Sequence, residues 1–323
     1  MEDISLNIYC DEIVNVVLDD IFSEQNEYWT YLGLLLVPIH KQDELLKELL
    51  NSRCLADGGQ NWRSCDLQCG YHEDNNTEVH YSELDDTRKY KVASSWIDLL
   101  IKNGEKDRGL VYFYILGLNL ANLDLEKFGP ASQQNRDVTI YNRFFRTAIR
   151  KSTKNFFYEN DQINIENIYH DEGAEENHPF FPWHSIQKLD TEDEKLEFAC
   201  DEITFIDSDH RVEEGSSIHS HFIQFIDLTL GCSFNCLHYS SENENKLDIA
   251  FQAKPLLKRI IKCPGNKNSS YNYFQRQKIE FFPQENLSDY EEDSLLREVK
   301  RNENFYTERE LLIKEHEEPH LSF

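Results

Sequence analysis

The sequence predicts an α/β fold, and three observations predict it. Apolar, β-favouring runs recur along the chain and end in carboxylates or lead to one. Segments of helical period lie between them. The opening order of strand, strand, helix starts an α/β layer. The first run, Ile8-Tyr9-Cys10-Asp11-Glu12, sets the pattern. In a strand Ile8 and Cys10 point to one face, and Tyr9 and Asp11 to the other. Related stretches follow at 79–83, 168–172 and 222–227, and they carry Glu83, Asp171 and Asp227. If the four stretches meet, Asp11, Glu83, Asp171 and Asp227 surround divalent metal. The alternative is a set of strand ends with solvated acids.

Composition bounds the answer. The 323 residues are 39% hydrophobic, with 20 Phe and 16 Tyr, enough for one large domain with insertions or for two domains. Net charge is -27, from 60 acids against 33 bases. That excess argues against unspecific binding to bare nucleic acid. It fits a metal-dependent site, a basic protein partner, or a surface that imitates nucleic acid. The eight Cys lack the dense spacing of a secreted disulfide scaffold. The first residues have no basic and apolar leader pattern, and the apolar run at 32–39 is too short to cross a bilayer. The expectation is a cytoplasmic protein with reduced thiols and no membrane partner.

In chain order, 6–13 is the first strand and 28–37 the second, ended by Pro38. Residues 41–50 form a helix, with Leu45, Leu46, Leu49 and Leu50 at helical spacing. A Cys-rich insertion at 51–76 follows. Its Cys54, Cys65, Cys69 and His72 are a candidate structural zinc set, or free thiols in an ordinary insertion. A short strand at 78–81 delivers Glu83. A helix at 87–102 turns Tyr90, Ala93, Trp96, Ile97 and Leu100 inward. The near-continuous apolar run at 110–118 reads as a strand covered on both faces.

A helix at 137–154 carries Arg143, Arg146, Arg150 and Lys154 along one stripe. The stripe either follows a phosphate backbone or pairs with the acidic segments. A strand at 162–169 delivers Asp171 and Glu172. An acidic insertion lies near 172–200, and His170, His178 and His184 are candidate ligands or simply hydrogen-bonded. A strand at 202–206 exits through Asp207. Ser216 or Ser217 caps the next helix. Its packed side is Ile218, Phe222, Phe225, Ile226 and Thr229, and Ser220, Gln224, Asp227 and Gly231 share the other side. A carboxylate in such an apolar helix calls for a partner or a metal. Cys232, Cys236 and His238 are a further candidate set, or packed thiols.

The domain expectation is 1–240, then an extension at 241–323 that is first basic and then acidic and helical. Residues 254–278 hold seven bases and no acid, interleaved with Tyr271, Tyr273 and Phe274. Bases with aromatics suit single-stranded nucleic acid. Helices are expected at 289–305 and 308–316. The chain has no internal repeat, phosphate-binding loop or dinucleotide fingerprint.

These motifs carry a resemblance. Ile8-Tyr9-Cys10-Asp11-Glu12 resembles the opening of the family catalogued as domain of unknown function 3800. His80-Tyr81-Ser82-Glu83 and Ile168-Tyr169-His170-Asp171-Glu172 resemble its second and third acidic motifs. Phe205-Ile206-Asp207-Ser208, then Gln224 to Asp227 with Gly231, resembles its closing Gln-x-x-Asp helix. The ordered set spans about residues 6 to 232. Flanking residues depart from the pattern at three places: Ile13-Val14, Leu84 and Ile226 stand where Ser-Gly, Lys and Ala are usual.

The resemblance implies a ribonuclease-H-like mixed sheet flanked by helices. It implies a nuclease hydrolysing DNA or RNA with Mg²⁺ or Mn²⁺ on Asp11, Glu83, Asp171 and Asp227, with Asp207 as substitute. Asp11 would bridge two ions. The family's setting beside mobile-element and phage-defence genes implies a defence role. The alternative from charge is an acidic, non-catalytic subunit docking on a basic protein partner, such as another defence component.

Overall fold

A computed structural model describes residues 2–18, 27–54, 69–106, 109–123, 125–128, 133–172, 183–212, 217–238, 240–241, 243–262 and 276–282. Its centre is a seven-stranded mixed sheet. β1 (Ile4–Leu18), β2 (Glu27–Pro38) and β3 (Tyr112–Asn119) form an antiparallel meander. β4 (Ile163–Asp171) lies parallel to β1 on its other side. β5 (Leu196–Phe198) and β6 (Ile203–Ile206) then pair in parallel with successive stretches of β4. At the opposite edge β7 (Gln277–Phe282) runs parallel to β3. β1 is therefore central, as the alternation of Ile8, Cys10 and Tyr9 requires.

The strands sort their side chains by the period of two. Leu6, Ile8 and Cys10 enter one core, and Tyr9 enters the other. The Tyr9 face is covered by α1 (Ile39–Ser52), α3 (Thr87–Lys106), α6 (Ser217–His238) and α7 (Glu244–Lys262). The Ile8 face is covered by α4 (Gln133–Phe157) and α5 (Trp183–Glu192). Phe144, Phe145, Ala148 and Ile149 of α4 are buried there. Among the described residues, no helix is long and apolar enough to cross a membrane.

Three expectations are corrected. First, the division at residue 240 does not hold in the fold. α7 packs into the same core as α6, and β7 completes the sheet beside β3. A buried polar knot fixes β7: Glu280 accepts from Tyr114 Oη at 2.5 Å, Lys151 Nζ at 2.9 Å and Lys278 Nζ at 2.6 Å. Burial alone would raise the Glu280 carboxyl, but the two lysines outweigh it and hold it down to about 2. Glu280→Ala takes the carboxylate away from buried Lys151. It is expected to cost about 3–5 kcal/mol, read from the urea midpoint.

Second, residues 78–81 are not a strand. Val79 N–H donates to Gln224 Oε1 at 3.1 Å and Tyr81 N–H to Asp227 Oδ2 at 2.7 Å, so side chains of α6 satisfy donors that a ladder would have used. A single 3-10 turn, Tyr81–Glu83, follows. Third, α6 is buried nearly all round, including Ser220, Gln224 and Gly231, whereas Ile218 is exposed. The helix lies between the sheet and its neighbours and has no solvated side along most of its length.

The cationic stripe of α4 meets the acidic segment. Arg146 pairs with Glu192, Arg150 lies 3.8 Å from the same carboxylate, and Lys154 sits 3.2 Å from Asp193. Arg143 lies over the Phe128 ring. Cys232 and Cys236 are packed thiols, and His238 Nε2 meets Tyr31 Oη at 2.6 Å. Cys65, His178, Ser216, the aromatics at 271–274 and the tail helices at 289–305 and 308–316 lie outside the described residues.

Candidate metal centre

Parallel pairing of β1 with β4 ends at Cys10 and His170. The next residues, Asp11 and Asp171, thus stand side by side where the two strands part. Ligand sites of α/β sheets favour this place, the carboxyl ends of parallel strands. Two residues earlier on each strand, Tyr9 and Tyr169 stack with ring centroids 5.1 Å apart. That stack fixes the register below the acids. Gly33 faces Asp11 across the β1–β2 ladder. A Cβ there would lie 3.2 Å from Ile226, so α6 passes close over the sheet. Its Asp227 comes close enough to Asp11 for the two carboxyls to act on each other.

The electrostatics record the crowding. Burial, then Asp227 and Glu12, pushes the Asp11 carboxyl well up. Burial also pushes Asp227 up, against the Tyr81 N–H that pulls it down. Burial and the closeness of two carboxyls both disfavour the charged forms, which fits both directions. Burial and then Asp11 raise Asp171 to about 7. The three aspartates do not form a set with all ligand atoms within 4.8 Å of one another; among the described residues Cys54, Cys69 and His72 do.

Glu83 is not part of this cluster. It is exposed and paired with Lys89, whose hydrogen bond holds its carboxyl below the usual range. The carboxylate that this segment brings near Asp227 is Glu78, which also accepts from Ser208 Oγ at 2.7 Å. Asp207 accepts from the N–H of Asp209 at 2.8 Å, closing its own turn. Glu172 is exposed.

On the opposite face of β1 and β4, Glu12 Oε2 lies 3.0 Å from His170 Nε2, and Tyr141 Oη lies 2.7 Å from the same nitrogen. His170 Nδ1 is 2.8 Å from the Asp171 carbonyl. Burial would lower His170, but Glu12 beside it prevails and the ring is raised to about 9. At neutral pH a buried imidazolium therefore stands behind the aspartates. Sequence reasoning misses this group, because Glu12, Tyr141 and His170 come from β1, α4 and β4.

Gln224, one turn before Asp227, explains the Gln-x-x-Asp spacing. Its Oε1 accepts from Arg53 at 2.8 Å and from Val79 N–H at 3.1 Å, and its Nε2 donates to the Ser208 carbonyl at 2.5 Å. Arg53 donates further to the carbonyls of Asn75 at 3.2 Å and Thr77 at 2.6 Å. Two loops are thereby clamped to α6. His80 Nδ1 is brought to 3.7 Å from Asp227 Oδ2.

Gly231, one turn after Asp227, lets the Tyr81 ring lie against the helix. A Cβ at 231 would stand 2.2 Å from Tyr81 Cγ. Gly231→Ala must displace Tyr81, and with it the N–H that orients Asp227. The expected cost is about 1–3 kcal/mol, with weaker Mn²⁺ binding, read by chemical denaturation and metal titration. Set against known proteins, the chain matches no family model, no curated protein and no solved structure.

Proposed function

We propose that this chain is a metal-dependent nuclease of the ribonuclease-H-like class, hydrolysing phosphodiester bonds. The observation that carries the reading is the meeting of Asp11, Asp171 and Asp227 at the carboxyl ends of two parallel strands, one of them the central first strand of the sheet. Supporting it, Asp11 and Asp227 are two buried, mutually perturbed carboxyls at a position that a hard cation would suit. Carboxyls raised by burial and mutual repulsion are the donor set that such an ion relieves. Asp11, Asp171 and Asp227 would hold Mg²⁺ or Mn²⁺, with Glu78 or His80 beside them. When bound, the metal supplies an activated water and charge stabilisation for the leaving oxygen.

The chain's own residues do the rest. The Tyr81 N–H fixes one oxygen of Asp227, and Gln224 holds that segment against α6. His170, kept charged by Glu12, offsets part of the negative charge behind the aspartates.

A second reading has one observation in its favour. The α4 stripe, a candidate track for a phosphate backbone, is paired with Glu192 and Asp193. With a net charge of -27, that favours an acidic docking subunit for a basic defence partner. The test is cleavage of labelled single- and double-stranded DNA and RNA with Mn²⁺ or Mg²⁺, beside EDTA. Metal-dependent cleavage supports the nuclease. Folded, metal-bound protein that cleaves nothing overturns it in favour of the docking subunit.

A further inference from the structure

We propose a second metal site of different chemistry, in which Cys54, Cys69 and His72 hold a zinc-class ion that clasps α1 to the segment leading into the aspartate cluster. It does not rest on the nuclease reading. One ligand atom from each of the three residues lies within 4.8 Å of the others. The sulfurs of Cys54 and Cys69 are 3.5 Å apart, and Cys69 Sγ is 3.2 Å from His72 Nδ1. Around tetrahedral zinc, with bonds of about 2.3 Å to sulfur and 2.0–2.1 Å to nitrogen, such atoms stand about 3.5–3.8 Å apart. Both of these distances are thus within about half an ångström of the spacing that an ion would impose. The two sulfurs are much farther apart than the ~2.0 Å of a disulfide.

The imidazole is already in the tautomer that ligation needs. His72 Nε2 lies 2.9 Å from the Leu50 carbonyl, and only a nitrogen bearing hydrogen can satisfy a carbonyl there. Nδ1 then carries the lone pair, and it is the nitrogen turned to Cys69. This outer hydrogen bond, from ring N–H to a backbone carbonyl, is the usual support of a metal-bound histidine. The backbone prepares the other pair: His72 N–H donates to the Cys69 carbonyl at 3.0 Å, in the turn that opens α2 (Gly70–Asp74). Cys54 is buried, while Cys69 and His72 are half-buried, so the set is shielded but reachable.

Thiolate and imidazole donors select zinc and its soft neighbours, whereas the aspartates select hard ions. The two sites therefore partition metals by chemistry. Position gives the clasp its role. Cys54 follows Arg53, whose guanidinium binds the carbonyls of Asn75 and Thr77 and the side chain of Gln224. An ion here ties the end of α1 to α2 just before the loop that carries His80 and Tyr81. The fourth position of a tetrahedral ion is left for water or another donor.

The test uses the full chain, purified and reduced, then stripped and titrated with Co²⁺. A thiolate-to-cobalt charge-transfer band with tetrahedral d–d bands, saturating at a single ion per chain and displaced by Zn²⁺, is the expected result. Cys69→Ser and His72→Ala should lose or weaken the bands. Asp227→Asn, at the carboxylate cluster, should leave them intact. Removing zinc from the wild type should lower the Tm. Folded wild type with no charge-transfer band overturns the proposal without recourse to any variant. So does a band of unchanged intensity in Cys69→Ser. Cleavage activity is not a readout here, so failure of this site and failure of the nuclease reading are separable.

Discussion

Asp11→Ala and Asp227→Ala are each expected to reduce metal-dependent cleavage to background. Loss of an outer-shell partner of a metal costs about 10–100-fold, and loss of a ligand should exceed that. The sharper variant is Asp227→Asn. It keeps an oxygen for the Tyr81 N–H, 2.7 Å away in the wild type, and removes only the charge. A folded, inactive Asp227→Asn protein places the defect in metal binding and not in the position of the loop. Glu83→Ala is the internal control. Its carboxylate is exposed and paired with Lys89, away from the aspartates, so cleavage should change by less than about twofold. Initial rates at saturating Mn²⁺ for the wild type and the four variants decide the matter. A Glu83→Ala protein as dead as Asp227→Ala would reject the cluster as described.

The second large effect is on stability. Without divalent metal, the protein is expected to become less stable as pH rises through about 7. Asp171 is raised from its ordinary 3.8 to about 7, and Asp11 and Asp227 are raised as well. For a carboxyl raised on folding, stability is fully present below the ordinary value. It is lost as pH climbs through the folded one. His210 and His221 are lowered from 6.5 by burial and act in the opposite sense in acid, while His170, raised to about 9, loses its contribution in the same sense as the carboxyls, so the range to read runs from about pH 6.5 to about pH 8 and the carboxyl part is the difference between wild type and Asp227→Asn.

Two consequences separate this cause from general alkaline loss. Asp227→Asn should raise the Tm in EDTA at about pH 8 by roughly 5 °C, for a relief on the order of 2 kcal/mol. Added Mg²⁺ or Mn²⁺ should stabilise the wild type more than this variant. A wild type whose Tm in EDTA is flat across that range would mean that the carboxyls are not crowded in solution. A substitution that kills activity while hardening the fold is the mark of a site held at a cost to stability.

Much of the fold was legible because its signals are local. The apolar runs of β1, β2 and β3 and the helical periods of α1, α3 and α4 announce themselves within one element. So do Asp11, Asp171 and Asp227, each standing at the end of an apolar run or inside an apolar helix. Glu83 misled because residues 78–81 look like a strand. Their N–H groups bond instead to Gln224 and Asp227, about 145 positions away in sequence. No window of sequence displays that competition. The Arg53–Gln224 clamp and the Glu12–His170–Tyr141 group were hidden for the same reason: each is assembled from elements distant in the chain. A signal for the clamp did exist in a buried-helix Gln one turn before an Asp. Residues 277–282 joined the sheet unannounced because the stretch was read for its charge and not for its alternation.

That last strand has a consequence for solubility. β3, Tyr112–Asn119, is an apolar ribbon buried almost throughout, and β7 caps the side of it that β2 does not. Take β7 away and β3 becomes a bare, flat, uncharged edge, the template on which chains add to one another. β3 precedes β7 by a long stretch of sequence, so every newly made chain passes through that exposed state. A truncation ending before residue 277 should therefore fail by clumping on expression, recovered in inclusion bodies and seeded by Tyr112–Asn119, well before any loss of cleavage could be measured. Lys278 and Glu280, set into the covering strand and tied to Lys151, hold β7 in place over that edge.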